Sequence, residues 1–290
     1  MATQETRPCP DMSSTENRVA LIEAWRNADE GVDRYTANKF TDETTGEVLY
    51  EYPAGARLWI GNQKEVMDSC QKPWAIETVR RAFEALDPKK NVRVLERGFG
   101  MGIIAGEIID HLRHLGGSYT VIELNKKVAH YAKNDWLKKQ KVIAKARATS
   151  EMGGEYSGSN VSFKVIEGEA IEETKKIKES GEKFDIIISD TFPLSPDERS
   201  INDLLDLDTL VQCLNPNGVF AFFGYHAGSL GGMNDRQRNL VEANFDEVSR
   251  TIVKGINPPS DYKYFQTPSG PLRELPVIVC TKPRLRTVVA

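Results

Sequence analysis

The residues best suited to chemistry stand at the ends of short apolar runs. Val94-Leu95-Glu96-Arg97-Gly98-Phe99-Gly100-Met101-Gly102 closes one run with an acid and follows it with three alternating glycines. Glycine is required where backbone must approach a ligand closely or adopt positive φ, so this loop is shaped to receive one. A pyrophosphate-binding G-x-G-x-x-G pattern would place glycine at position 103, where the chain has Ile103, and the Gly-Lys-Ser/Thr of a P-loop is absent. Glu123 ends the next run, where a carboxylate can accept hydrogen bonds from both hydroxyls of a ribose. Gly168-Glu169-Ala170 follows the third run, where a polar side chain can meet an adenine amino group. Asp190 follows the fourth, and a carboxylate there can hold an N–H and take up its proton.

Strands and helices must bring these positions together. The runs are Val92–Leu95, Tyr119–Ile122, Val161–Ile166, Phe184–Ile188 and Val219–Phe223, and helical stretches separate them. Between the first two, Ile104, Ile108, Leu112 and Leu115 recur at helical spacing. Strand and helix in alternation predict a parallel sheet covered by helices. Such sheets bind ligands outside the carboxyl ends of their strands, so Gly98, Glu123, Glu169 and Asp190 are expected on one rim. Together they suit the acid-x-G-x-G loop of a methyltransferase that binds S-adenosylmethionine and releases S-adenosylhomocysteine. Val248–Val253 and Pro276–Cys280 read as two final antiparallel edge strands. The expected fold is therefore α/β and Rossmann-like, a mainly parallel seven-stranded sheet with helices on both faces and an antiparallel C-terminal edge.

Composition removes several other classes. Of 290 residues 40% are hydrophobic and 28% charged, which suits an ordinary globular core. The net charge of −4 excludes a generally basic nucleic-acid binder. Lys126 to Arg147 carries eight basic residues against one acid, Asp135. Val128, Ala132 and Trp136 fall at helical spacing within it, so it reads as the solvated face of a packed helix. No run approaches the ~18 apolar residues of a membrane helix, and the polar start has no signal core. Cys9, Cys70, Cys213 and Cys280 match neither a disulfide framework nor a zinc spacing. A reducing, cytoplasmic setting is expected, without membrane or nucleic-acid partners; a homodimer is compatible with the chain. His111 and His114 lie i, i+3 without an acid or cysteine at ligand spacing, so they read as surface residues and no metal is expected. Residues 1–60 hold a helix over Val19–Asn27 and the aromatics Trp25, Tyr35, Tyr50, Tyr52 and Trp59. They are expected to pack on residues 61–290 as a lid. Ser150 to Asn160, rich in Gly and Ser, reads as a mobile surface loop.

Leu95-Glu-Arg-Gly-Phe-Gly-Met101 and Asp190-Thr-Phe-Pro-Leu-Ser195 resemble the corresponding motifs of guanidinoacetate N-methyltransferase. Arg57-Leu-Trp-Ile-Gly-Asn-Gln-Lys-Glu-Val-Met67 and Pro258-Pro-Ser-Asp-Tyr-Lys-Tyr-Phe265 extend the likeness over about residues 56–283, with an insertion near 139–160. The resemblance implies the class I methyltransferase fold and methyl transfer to a guanidino-type or amine nitrogen of a small-molecule acceptor. It implies that Asp190 contacts the acceptor, that Met67 lies beside the cofactor, and that the His226 backbone faces an acceptor carboxylate. The expected cofactor contacts are Met67, Glu96, Gly98, Gly100, Glu123, Leu124, Glu169, Ala170 and Asp190. Those to the acceptor are Gln71, Trp74, Thr191, Tyr225 and His226, with Asp190 as the catalytic residue. His226 has a second reading, as an additional base.

The chain departs from this family at two places. Cys70-Gln71-Lys72-Pro73-Trp74 aligns with the motif that holds the family's second acceptor-binding acid, and the acid becomes Gln71. One carboxylate and one amide predict an acceptor other than guanidinoacetate. Arg97 replaces an apolar residue, and it either points away from the ligand or meets an acidic substrate group. Ser195 with Pro196 and Glu198 has the form of a helix cap, which gives Asp197 and Glu198 a structural role. Other acceptors on the same fold, an oxygen or a protein arginine, and a non-catalytic adenosyl-binding protein are the competing readings. Aminopropyl transfer would want paired acids after the fourth strand, where this chain has Asp190-Thr191.

Overall fold

The computed structural model describes residues 15–28, 30–32, 38–41, 48–51, 57–60, 64–87, 90–138, 140, 161–194, 198, 201–224, 233–258, 266–267 and 270–285. The first part contains α1 (Thr15–Asn27), β1 (Glu30–Val32), β2 (Asn38–Thr41), β3 (Val48–Glu51), β4 (Arg57–Ile60) and β5 (Lys64–Asp68). Then follow α2 (Lys72–Glu84), β6 (Val92–Arg97), α3 (Ile103–Leu115), β7 (Gly117–Glu123), α4 (Lys126–Tyr131) and β8 (Val161–Glu167). The chain continues with α5 (Ala170–Glu179), β9 (Phe184–Ser189), α6 (Leu207–Cys213), β10 (Leu214–Phe223) and α7 (Asp235–Asn244). It ends with β11 (Phe245–Lys254), β12 (Gln266–Thr267), β13 (Gly270–Pro271) and β14 (Glu274–Pro283).

Seven strands form the main sheet in the order β11-β14-β10-β9-β6-β7-β8. From β10 to β8 every neighbouring pair is parallel, while β14 runs antiparallel to both β10 and β11. This is the expected Rossmann-like, mainly parallel seven-stranded sheet with helices on both faces. The antiparallel pair at its C-terminal edge is present, with β14 inserted inside and β11 outermost. The chain moves outward from β6 in one direction through β7 and β8, and from β9 in the other through β10. The order therefore reverses between β6 and β9, and the crevice beyond that point is where such sheets take ligands.

The strands are Val-, Ile- and Phe-rich because parallel strands are covered on both faces. Val94, Val121, Ile186, Ile188, Val219 and Ala221 pack on one face with α2, α3 and α4. Leu95, Ile122, Ile187, Phe220 and Phe222 pack on the other with α5, α6 and α7. The basic segment behaves as its spacing predicts: Val128, Ala132 and Trp136 are buried while Lys126, Lys127 and Lys133 face solvent. A π-helical stretch, Ala132–Trp136, lies within it. Ser150 to Asn160 lie outside the described residues.

At the N-terminal side, α1 begins four residues earlier than its apolar spacing suggested, at Thr15. Ile22 and Trp25 are buried in the same cluster as the sheet and α3. Strand β1 pairs with β4 and β4 with β5, so one three-stranded sheet crosses from residues 30–32 to 64–68. Asp68 and Gln71 form a capping box that leads into α2, where Pro73 occupies the first turn.

Trp74 is corrected here. It was expected at the acceptor, but it is 1% exposed and donates its Nε1–H to the carbonyl of Pro276 at 2.9 Å. Its ring meets Phe223 edge-on at 4.9 Å, so it joins α2 to β14 within the core. Replacing Trp74 by Phe keeps much of the ring but leaves the Pro276 carbonyl without its donor. An unpaired buried acceptor costs about 1–3 kcal/mol, and urea unfolding of Trp74→Phe should show a loss of that size.

Candidate active site

The rim is built by backbone that only glycine allows. Gly98 has φ +86°, and a Cβ there would stand 2.4 Å from the carbonyl oxygen of Asp190. This close approach joins the ends of β6 and β9, which are also tied by the Asp190 N–H to the Arg97 carbonyl at 3.0 Å. Gly100 has φ +53°, and a Cβ there would press on the Met67 thioether at 2.9 Å. The Met101 N–H points at that sulfur, 3.3 Å away.

Glu123 holds the loop from the side. Its Oε2 accepts from the Phe99 N–H at 2.9 Å and the Gly100 N–H at 3.4 Å, and its Oε1 from the Asn125 N–H at 2.8 Å. Burial raises its pKa, and these same amides pull it back. Asn125 caps α4 and also donates to the Trp25 and Ala28 carbonyls, both at 3.0 Å. The glycine loop, α4 and α1 therefore share one anchor. Glu169 caps α5 by accepting from the Glu172 N–H at 2.9 Å, and its other oxygen accepts from Arg18 at 3.0 Å. Arg18 also pairs with Glu198, so α1 bridges two carboxylates beside the cavity.

Asp190 is half-buried at the end of β9. Burial, reinforced by the neighbouring Asp203, pushes its pKa up to about 7. Asp203 sits behind it, with Oδ1 accepting from Ser189 Oγ at 2.9 Å, the Thr191 N–H at 2.9 Å and Thr191 Oγ1 at 2.6 Å. Arg97 settles the question its sequence position posed. Its side chain is 1% exposed and paired with Asp206 at 2.9 Å, while Nε and Nη1 have no partner among the described residues. It points into the buried acidic cluster beneath the rim.

One cavity gathers Met67, Gln71, Gly98, Gly100, Glu123, Leu124, Glu169, Ala170, Asp190 and Thr191. Glu96 is corrected: it does not line the cavity. Its carboxyl group is fully buried, accepts the Tyr119 hydroxyl, and burial holds its pKa well above the ordinary range. Thr191 lines the wall, yet its hydroxyl is turned inward onto Asp203. Gln71 lines it too, with Oε1 accepting from the Asp68 N–H at 3.0 Å. Tyr225 and His226 lie outside the described residues, as does the Ser195-Pro196-Asp197 cap. Glu198 is more than a cap residue, since it pairs with Arg18 at the cavity wall. His111 is half-buried rather than on the surface, stacked on Phe83 at 4.5 Å. Arg18, Trp25, Phe192 and Asn125 also line the cavity, and sequence reasoning assigned none of them there. Only the excess of aromatics before residue 60 hinted at Trp25; the others are polar or loop residues without a local pattern.

No family model matches the chain, and no curated protein does. Among solved structures it is similar to spermidine synthase from Thermotoga maritima at 13% identity, covering 84% of this chain and 72% of that one, with a TM-score of 0.48. It is similar to precorrin-6y C5,15-methyltransferase from Geobacter metallireducens at 16% identity, covering 71% and 88%, with a TM-score of 0.41. A SAM-dependent methyltransferase from Agrobacterium tumefaciens is 14% identical over 87% of this chain and 77% of its own, with a TM-score of 0.41. At this level of similarity they say nothing about substrate or reaction. The likeness to guanidinoacetate N-methyltransferase rests on the motifs alone.

The elevated Asp190 carboxyl group has a consequence for stability. The folded chain binds its proton more tightly than the unfolded chain, whose Asp has an ordinary pKa of 3.8. Its contribution is therefore fully present below about pH 4 and lost as pH rises through about 7. Asp190→Asn should flatten this part of the stability profile and gain most over wild type near pH 8, as read by thermal unfolding at a series of pH values.

Proposed function

We propose that the chain is an S-adenosylmethionine-dependent N-methyltransferase acting on a small-molecule amine or guanidino nitrogen other than guanidinoacetate. The observation that carries this reading is the meeting, at the sheet's switch point, of a glycine loop with the Asp190 carboxylate, which has no cation partner among the described residues. Gly98 and Gly100 let the loop pack closely against Asp190 and Met67 at the cavity wall, and Glu123 lines the same cavity, where a carboxylate can meet ribose hydroxyls. Leu124 and Ala170 offer apolar walls suited to an adenine ring, and Glu169 stands beside them. These residues fit the adenosyl group.

The bound sulfonium would supply an already activated methyl group, so the protein's task is alignment. Asp190 would hold the acceptor nitrogen by an N–H and receive its proton. A carboxyl group with a pKa near 7 is suited to that exchange at neutral pH. Gln71 would meet the acceptor as a neutral amide. We place α1 over the site as a cover, latched by Arg18 to Glu169 and Glu198 and by Asn125 to its last turn. Aminopropyl transfer is less well supported. The second acid beside Asp190 is Asp203, and its Oδ1 is occupied by Ser189 and Thr191.

Calorimetry with S-adenosylhomocysteine tests the cofactor site. Glu123→Ala should weaken binding by at least about tenfold, since a hydrogen bond to a charged acceptor contributes roughly 1.5–3 kcal/mol. Unchanged affinity would remove Glu123 from the ribose. Asp190→Asn should lower turnover by ~10²–10⁴-fold, the usual worth of proton-transfer catalysis, while the cofactor binds as before. Gln71→Glu should move the acceptor profile toward guanidinium compounds, and an unaltered profile would take Gln71 out of the acceptor pocket.

A further inference from the structure

We infer, building on that N-methyltransferase reading, that the acceptor is a monocationic amine carried on an apolar body the size of an aromatic ring. The wall around Asp190 points to this class. Trp25, Leu58 and Leu194 belong to one apolar cluster, with Phe192 and Phe223 packed against it, and all five line the cavity. The rings of Trp25 and Phe192 lie 5.0 Å apart at 36°. An apolar wall gains by covering an apolar body, and a ring of phenyl size contributes roughly tenfold to a hundredfold in affinity when buried.

Charge narrows the class further. Asp190 lines the same cavity from the end of β9, and its carboxylate has no cation or hydrogen-bond partner among the described residues. Gln71 is neutral. With Glu123 given to the ribose and Glu169 and Glu198 paired to Arg18, Asp190 is the anion left for the acceptor and matches one cation, an ammonium. An acceptor carboxylate finds no counterpart here among the described side chains. The cavity is bordered by two guanidinium groups: Arg18 is bound to Glu169 and Glu198, and Arg97 to Asp206. The two unpartnered nitrogens of Arg97 are sealed from solvent, so a ligand in the cavity reaches neither. Desolvating a carboxylate without a partner is costly, so amino acids and guanidino acids are disfavoured.

In the step itself the ammonium gives one proton to the Asp190 carboxylate, which frees the nitrogen lone pair. The N–C bond forms as the S–C bond of the sulfonium breaks, and sulfur keeps the electron pair. The products are a methylated ammonium, the neutral thioether and protonated Asp190, which returns its proton to water.

The test uses the full chain with radiolabelled methyl donor and four acceptors: phenethylamine, hexylamine, 4-aminobutyrate and guanidinoacetate. S-adenosylhomocysteine binding is measured first. Failure of that binding would sink the methyltransferase reading itself. With binding established, kcat/KM for phenethylamine should exceed that for 4-aminobutyrate and guanidinoacetate by about tenfold or more. Equal or greater turnover of either acid, or no methylation of the two amines, would overturn the inference while the cofactor reading stands. Phe192→Ala should raise KM for phenethylamine by about tenfold, and Phe192→Leu by less, with the dissociation constant of S-adenosylhomocysteine unaltered. The amine panel needs no variant, so a poorly folded Phe192→Ala would not blunt it. If instead cofactor affinity falls as far as acceptor KM rises, Phe192 lies on the adenosyl side and the inference fails.

Discussion

The carboxylate of Glu123 is the interaction on which the rim depends. Its two oxygens gather the amides of Phe99, Gly100 and Asn125 from opposite sides of the crevice. The glycine loop takes its shape from the first two. Asn125, fixed by the third, reaches on to the last turn of α1 through the carbonyls of Trp25 and Ala28. A single buried acid at the end of β7 thus connects the loop that would cradle a cofactor with the helix that borders the cavity. Its burial raises its pKa, and the backbone amides of Asn125, Phe99, Gly100 and Leu124 offset part of that rise.

The second organising feature is the buried charge beneath the rim. Asp203, Asp206 and Arg97 lie within the layer between the sheet and α6, with Arg97 paired directly to Asp206. Breaking a buried pair by removing one partner typically costs about 3–5 kcal/mol, so this arrangement resists piecemeal change. Arg97 lies near Asp203 and helps keep it charged, as do the Thr191 and Ser189 donors. Asp190, a few residues away and without such help, carries the cost of sitting next to that charge. Burial raises its pKa first, and the Asp203 carboxylate behind it adds to the rise.

The segment before residue 60 has a different relation to the fold. Trp25 and Ile22 are part of the main core, while Arg18, seven residues before Trp25, faces two acids at the cavity. One face of α1 is thus anchored by burial and the next turn by ion pairs that are only partly screened from water. Exposed or half-exposed pairs contribute little to stability, so the packing of Trp25 on Phe192 does more than Arg18 to seat the helix.

Periodicity alone determined the kind of sheet. Five apolar runs separated by helical stretches call for a parallel sheet buried on both faces, whose strand order only the packing decided, and the rim residues Gly98, Glu123, Glu169 and Asp190 follow from standing at strand ends. The glycines were legible because positive φ and close backbone approach leave no other residue type comfortable. Direction was not legible. Glu96 and Arg97 are adjacent on β6 and so point to opposite faces, one onto Tyr119 and the other onto Asp206. Neither partner is near in sequence. Trp74 went to the core because its N–H found the Pro276 carbonyl, 202 residues away. The same holds for Asp203 behind Asp190 and for Arg18 between Glu169 and Glu198. A polar side chain reveals its role through what neutralises it, and that partner is chosen by the packing of distant elements rather than by any local spacing.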